Sequence, residues 1–457
     1  MQASFSNRMI QNPVLSGFHP DPSILRVKDD YYIATSTFEW FPGVQINHSK
    51  DLVHWDLLGY PLTRVSQLNM IGEEDSCGVW APCLSYDKGR FYLIYTDVKS
   101  FIGSFKDTHN YLVTAEDIHG PWSEPIYLNS SGFDPSLFHN RDGRKYLVNM
   151  VMDHRSYSAS KFAGIVLQEY SEAERKLVGP KKVIFKGSHL GVTEGPHLYW
   201  KDGYYYLMTA EGGTGYHHAV TVARSRNIDG PYEVAPNTPM LTSRYFPTHE
   251  LQKAGHGSLV ETPDHQWYLA HLCSRPVGQE RRCILGRETA IQKMMWTEDN
   301  WLRMADGSNF AKLEVPESSL PEYPVEKTPD FDDFDGDELG KFYYSPRIMP
   351  QRFADVKARK GYVRIRGQES RTSLNKVSIL ARKLTSVYAR ITTKMEFVPE
   401  VHQHSAGLIL YYDNMNYINL RKYYSETLGQ SALSIIHLEN GVKTEFLNTR
   451  IPVEDKP

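Results

Sequence analysis

Apolar residues along this chain come in short runs, alternating with polar ones or briefly continuous, and each run is soon cut off by Gly, Asp, Asn or Pro. No window holds a sustained 3.6-residue apolar period, so the pattern predicts strands and tight turns with few, short helices. Within the first 310 or so residues one phrase recurs five times: Asp21-Pro-Ser-Ile24, Ala81-Pro-Cys-Leu84, Asp134-Pro-Ser-Leu137, Glu194-Gly-Pro-His-Leu198 and His256-Gly-Ser-Leu259. A polar turn and an aromatic strand follow each copy, namely Tyr31-Tyr-Ile33, Phe91-Tyr-Leu93, Tyr146-Leu147, Tyr205-Tyr-Leu207 and Trp267-Tyr-Leu269. The aliphatic anchors Ile24, Leu84, Leu137, Leu198 and Leu259 lie 53 to 61 residues apart, room for a small four-stranded sheet plus loops. Aromatic, turn-rich repeats of that length predict an all-β fold whose first part, residues 1–314, is a five-bladed β-propeller.

From Pro316 to Pro329 the pattern lapses into Pro-Glu-Ser-Ser-Leu-Pro-Glu-Tyr-Pro-Val-Glu-Lys-Thr-Pro, whose prolines cannot donate to a ladder. Residues 315–330 therefore read as a linker. Beyond it, Gly361–Arg366, Tyr388–Phe397 and Ala406–Tyr412 alternate as antiparallel strands do, which predicts a β-sandwich over residues 331–457. The sequence stops at Pro457 with no obvious closing strand, so an incomplete sandwich is expected, and its open edges would favour association of copies.

A chain of 457 residues exceeds one ordinary core, in keeping with two domains. A net charge of -3 supplies no basic field for nucleic acid. Met1–Ser16 has neither a basic start nor an apolar run, and no stretch approaches a membrane span, so a cytoplasmic location is expected. The cysteines, Cys77, Cys83, Cys273 and Cys283, form no Cys-x-x-Cys pair, and free thiols are expected.

Taken alone, Asp21 in His19-Pro-Asp-Pro22 is a turn former. The repeat alters that reading. In a propeller the innermost strand of each blade flanks the axis, so Asp21, Asp134 and Glu194, within one residue of a common register in blades one, three and four, should converge at the hub. Three converging acids repel one another and are costly to desolvate unless a site uses them. Glycosidic hydrolysis needs one carboxylic acid to protonate the leaving oxygen and one carboxylate to activate water or attack the sugar, and a third nearby raises the acid's pKa.

The sequence here resembles the family-43 glycoside hydrolases, specifically their two-domain β-xylosidases. The resemblance rests on Asn12–Ile24, Thr35-Ser-Thr-Phe-Glu-Trp-Phe-Pro-Gly43, Gly78-Val-Trp-Ala-Pro82, Gly132-Phe-Asp-Pro-Ser136, Thr193-Glu-Gly-Pro-His197, Gly255-His-Gly-Ser258 and Gly286-Arg-Glu-Thr289. It implies an inverting, exo-acting site that releases xylose from short β-1,4-xylo-oligosaccharides, with α-L-arabinofuranosidase side activity. It also implies Asp21 as general base, Glu194 as general acid and Asp134 as modulator of the acid's pKa. Arg287 and His256 would line the site, with Phe38 and Trp80 as apolar walls.

These secondary residues have plainer readings too. Arg287 can fork onto sugar hydroxyls and hold Asp134 ionised, or serve as a structural ion-pair residue. His256 is either a satisfied core histidine or, with waters, the holder of a divalent cation, as in some relatives; no cofactor is required by the reading. Trp80 could stack at the funnel mouth or simply pack between blades. Glu211, in Ala210-Glu-Gly-Gly-Thr-Gly215, is the rival acid, a strand away from the hub register and expected at most to support it. Two other classes of function stand against the hydrolase: a non-catalytic carbohydrate- or protein-binding propeller, and a metal-dependent hydrolase built on Asp21, Asp134 and His256.

Overall fold

A computed structural model of the protein describes residues 9–103, 105–155, 161–446 and 450–454. The first eight residues and Asp455–Pro457, on which the readings of the chain ends partly rest, lie outside them. Five four-stranded antiparallel sheets follow one another along the chain, each with its strands in sequence order. They are the five blades, and their first two strands are Ser23–Val27 with Asp30–Thr35, Gly78–Asp87 with Arg90–Ser100, Ser136–His139 with Lys145–Met152, Glu194–Lys201 with Tyr204–Glu211, and Gln252–Glu261 with Trp267–Ser274. Leu241–Thr242 adds a further pairing to blade four. Among the described residues the one helical turn is the 3-10 segment Pro350–Arg352.

Side chains on a strand alternate between its two faces, and in a propeller both faces of a blade are covered by neighbours. Tyr31 and Ile33 accordingly enter one core with Tyr268, Ala270 and Ile291 of blade five. Tyr32 and Ala34 enter another with Leu84, Leu93 and Val113 of blade two. The pattern continues around the ring, with a core between each adjacent pair of blades. That double burial is why the second strands read as nearly continuous apolar runs.

The serine of the repeated phrase ties blade to blade. Ser258 Oγ accepts the Ile24 N–H at 3.1 Å, Ser23 Oγ accepts the Leu84 N–H at 3.1 Å, and Ser136 Oγ donates to the Pro196 carbonyl at 2.6 Å. Blade four reaches blade five through Tyr199, whose hydroxyl accepts the Leu259 N–H at 2.9 Å. The ring is fastened where the chain enters and leaves it. Met9–Gln11 pairs with Glu314–Pro316, and Asn12 bonds both main-chain groups of Ile291.

Contacts divide the chain into two compact units, Met1–Gly367 with Ser378–Val387, and Gln368–Val377 with Tyr388–Pro457. The expected linker runs mostly without regular structure yet is tacked down, Ser319 to Asp264 and the Tyr323 N–H to Asp51 Oδ2 at 2.8 Å. Further along, Ser345–Pro346 pairs with Trp40–Phe41 inside the first unit. The second unit holds one layer of the sandwich, a five-stranded sheet of Ser405–Asp413, Asn416–Ser425, Gln430–Glu439 and Val442–Glu445, with Ile451–Pro452 on the third of these. Tyr388–Phe397, expected as a strand, joins no ladder and is largely exposed. Alternation marks a stretch able to extend, but a strand forms only where a partner edge is present.

Candidate active site

One backbone feature repeats in or just before each first strand. Asp21, Ala81, Asp134, Gly195 and His256 all lie in the left-handed region, with φ of 55°, 30°, 53°, 55° and 52°. In blades two, four and five the ladder slips at that point, between Trp80 and Cys83, Glu194 and His197, and Gly255 and Gly257. A bulge of this kind re-aims a side chain and ends regular pairing. Left-handed non-glycine residues cost about 1–3 kcal/mol each and persist only where their surroundings over-determine them. Here four such residues, together with Gly195, bring neighbouring blades into contact around the hub.

In blade four glycine takes the left-handed position, and Glu194 stands one residue ahead of it. The reason is steric: a Cβ on Gly195 would lie 2.9 Å from the His256 ring. Gly195 also donates its N–H to Asp134 Oδ2 at 3.0 Å, which links blades three and four. Blade five meets blade one through His256, whose Nδ1 is 3.9 Å from Asp21 Oδ1.

The loops joining second to third strands lie on the same face as these turns, because a hairpin returns the chain to the end where its first strand began. Loop 36–44 contributes Ser36 and Phe38, and loop 275–287 contributes Arg287. Ser36 Oγ donates to Asp21 Oδ2 at 2.7 Å and accepts the Ala81 N–H at 2.7 Å. Arg287 Nη1 donates to Asp21 Oδ1 at 3.3 Å. On sequence the arginine either binds sugar hydroxyls and helps to hold Asp134 ionised or serves as a structural ion-pair residue, and its charge does lower the Asp134 pKa. Its direct bond is to Asp21, because its main-chain carbonyl accepts the His19 N–H at 2.8 Å and so pins it beside blade one.

These contacts separate the carboxyls electrically. Burial alone would raise the Asp21 pKa, but the charges of Arg287 and His256 and the Ser36 hydroxyl outweigh it and hold the group below the ordinary value. Asp134 is pushed well above it, first by burial, then by the negative charges of Glu194 and Asp21, with the Gly195 N–H and Arg287 opposing. Glu194 is pushed to about 7, by burial foremost; Arg287 pulls the other way and Asp21 adds to the rise. Asp134 and Glu194 titrate together, so the pair retains a proton toward neutral pH. The Gly195 N–H favours the ionised form of Asp134, against the burial and neighbouring charges that raise its pKa.

Apolar rings border the carboxyls. Phe38 lies 5.5 Å from Phe18 and 6.1 Å from Trp80 between ring centres, and the Arg287 guanidinium is 5.4 Å from the Phe38 ring. Trp80 also meets Phe101 at 5.8 Å and Phe133 at 5.4 Å, so it both borders the hub and packs toward blade three. Every residue singled out from the sequence is thus brought to one end of the propeller. Glu211 is fully buried and accepts bonds from Ser188, Thr193 and Thr221, which fits a support for the loop leading to Glu194 rather than a free acid. Ser36, Phe18 and Phe133 escaped the sequence reading. Phe18 and Phe133 stand within three residues of Asp21 and Asp134, a proximity that could have pointed to them, whereas nothing marks Ser36 among ordinary serines. Among the described residues, no three His, Cys, Asp or Glu side chains are placed to hold a metal ion. A cation beside His256 would therefore depend mainly on water for its ligands.

Comparison with known proteins places this geometry. The family described as glycosyl hydrolases family 43 matches residues 10–302, and the β-xylosidase C-terminal concanavalin A-like domain matches residues 331–457. A β-xylosidase of Bacillus subtilis (strain 168) is 51% identical over 454 residues, covering 97% of this chain and 84% of that protein. Xylosidase/arabinosidase 43B of Humicola insolens is 53% identical over 415 residues, covering 90% of this chain and 76% of its own. The crystal structure of xylan β-1,4-xylosidase from Bacillus halodurans C-125 superposes with a TM-score of 0.96 at 58% identity, covering 98% of this chain and 85% of that one. With its propeller and its C-terminal domain both matched and half its residues identical to such relatives, the chain belongs to glycosyl hydrolase family 43, in the two-domain β-xylosidase arrangement.

Proposed function

We propose that this protein is an inverting exo-β-xylosidase that removes xylose from the non-reducing end of short β-1,4-xylo-oligosaccharides, with α-L-arabinofuranosidase side activity. The observation that carries the mechanism is the opposite tuning of two carboxyls at one hub, Asp21 held below the ordinary carboxylate range and Glu194 raised to about 7. Asp21, ionised, takes a proton from a water that attacks the anomeric carbon. Glu194, protonated, gives its proton to the departing glycosidic oxygen as the bond breaks. Asp134 keeps that proton on Glu194 through its charge, and its bond to Gly195 fixes the turn carrying the acid. Arg287 offers its remaining donors to sugar hydroxyls, and Phe38 and Trp80 present apolar faces to the ring.

The names of the relatives support the substrate class. The xylosidase/arabinosidase from Humicola insolens favours the arabinofuranosidase activity as a second reading, since the two pentosides present similar hydroxyl layouts. A non-catalytic propeller gains no support from these comparisons. Action in the cytoplasm is part of the proposal and agrees with four free cysteines, three of them buried; no helix among the described residues is long and apolar enough to cross a membrane. Association of copies belongs to it as well, and light scattering reads it. The test of activity is hydrolysis of 4-nitrophenyl β-D-xyloside and α-L-arabinofuranoside side by side, with and without chelator. Faster turnover of the xyloside, unaffected by the chelator, is expected; a preference for the arabinofuranoside would exchange the two readings, and loss on chelation would require a metal at His256.

A further inference from the structure

Residues 343–347, beyond the fifth blade in sequence, run against the rim of blade one. Tyr344 exchanges both main-chain bonds with Ala381 at 2.9 Å, Ser345–Pro346 pairs with Trp40–Phe41, and Arg347 follows. The Arg347 side chain is 1% exposed. Its Nη2 donates to Asp75 Oδ1 at 2.6 Å and its Nε to the Glu73 carbonyl at 2.6 Å, while its main-chain N–H donates to the Glu39 carbonyl at 2.7 Å. A guanidinium buried this deeply and bonded in a planar fork acts as a joint, unlike a surface pair that solvent can replace.

The two loops it joins carry the aromatic wall of the site. Glu39 follows Phe38 directly, and Glu39 Oε2 accepts the Ser76 N–H at 3.0 Å. The Ser76 carbonyl in turn accepts the Trp80 indole N–H at 2.7 Å. Phe38 and Val79 exchange two main-chain bonds of 3.0 Å, so the two rings stand on one braced pair of loops. Phe38, Ser76 and Arg347 are all non-glycine residues in the left-handed region, with φ of 51°, 67° and 65°. Strained backbone of this kind holds only where contacts over-determine it, and the bonds of Arg347 reach both loops.

We propose that Arg347 is a positioning residue for the sugar pocket, fixing from outside the five blades the placement of Phe38 relative to Trp80. It bonds to none of the hub carboxyls, so it acts on where the sugar sits and leaves proton transfer alone. The proposal rests on the reading of Phe38 and Trp80 as walls of the sugar site.

The test compares Arg347→Met, Arg347→Lys and the double variant Arg347→Met/Asp75→Asn in the full chain. D-xylose and L-arabinose binding is measured by calorimetry, and kcat and KM on 4-nitrophenyl β-D-xyloside, each normalised to the folded fraction. Arg347→Met should raise the Kd for xylose and the KM about tenfold or more, equivalent to about 1.4 kcal/mol, without moving either limb of the pH profile. Arg347→Lys keeps the charge but loses the fork and should fall between. The double variant should recover part of the loss, because no carboxylate is left facing an empty joint. A role confined to folding lowers the active fraction and leaves Kd and KM of the folded molecules at wild-type values, which would overturn the proposal. Should Arg347→Met fail to fold, wild-type Kd and KM in folded Arg347→Lys and double variant overturn it equally. A wild-type protein that binds xylose but cleaves no pentoside sinks the proposed activity while the binding comparison still decides Arg347; one that binds neither sugar sinks both.

Discussion

Asp21 accepts a hydroxyl hydrogen bond from Ser36 and faces Arg287 and His256, whereas Glu194 is partly buried beside Asp21, and these different neighbours tune the two carboxyls in opposite directions. The kcat/KM profile should therefore have its acid limb below the ordinary carboxylate range, set by Asp21, and its alkaline limb near 7, set by Glu194. Replacing Asp134 by Asn removes a negative charge next to the acid, so the pKa of Glu194 falls and the alkaline limb moves to lower pH. An unmoved limb with only a raised KM would make Asp134 a sugar-binding residue. Glu194→Ala should cost about 10²- to 10⁴-fold on xylobiose, the usual worth of general acid catalysis. The loss should be much smaller on aryl xylosides, whose leaving groups need little protonation; equal losses on both would move the acid elsewhere. At this scale the three carboxyls and His256 were legible because each sits in a repeated phrase, and Trp80 because it stands beside one, whereas Arg287 and Phe38 came from the family resemblance. Ser36 and Arg347 were not, since each matters only through partners that tertiary structure supplies.

Each phrase is one strand start with one left-handed residue, and the element explains both the motif and its exceptions. Proline after Asp21, Ala81 and Asp134 keeps the chain extended beyond the turn, and the serine that follows in blades one and three bonds across to the next blade. The change from Asp to Glu-Gly in blade four has a geometric cause, since only glycine fits beneath the His256 ring. Gly195→Ala should accordingly destabilise the protein by about 1–2 kcal/mol from left-handed strain alone, with a further cost for the displaced ring. It should also lower kcat at least tenfold by tilting the Glu194 turn and the Asp134 bond. Thermal unfolding and steady-state kinetics check this together, and a variant with wild-type stability and rate would show that the turn tolerates a side chain. Strand starts were readable because turn chemistry is local. Tyr388–Phe397 was misread because its alternation says nothing about whether a neighbouring edge exists.

For the whole molecule, the repeat spacing made five blades legible, and blades that follow one another along the chain share a core around the ring. The fastening of the ring through Asn12 and the pairing of residues 345–346 with blade one join positions some 280–300 apart in the chain, a separation that no local pattern reveals. The ring itself sets the stereochemistry. Asp21 on blade one and Glu194 on blade four are separated by blade five on one side and by two blades on the other, and an inverting site needs room between them for a sugar and a water. Single displacement calls for carboxyls about 6.5–9.5 Å apart, and double displacement for about 5–5.5 Å. The most direct test is proton NMR of the first product released from a β-xyloside in heavy water. The account predicts α-xylose first, appearing before mutarotation; β-xylose first would contradict the assignment of Asp21 as the base that activates water.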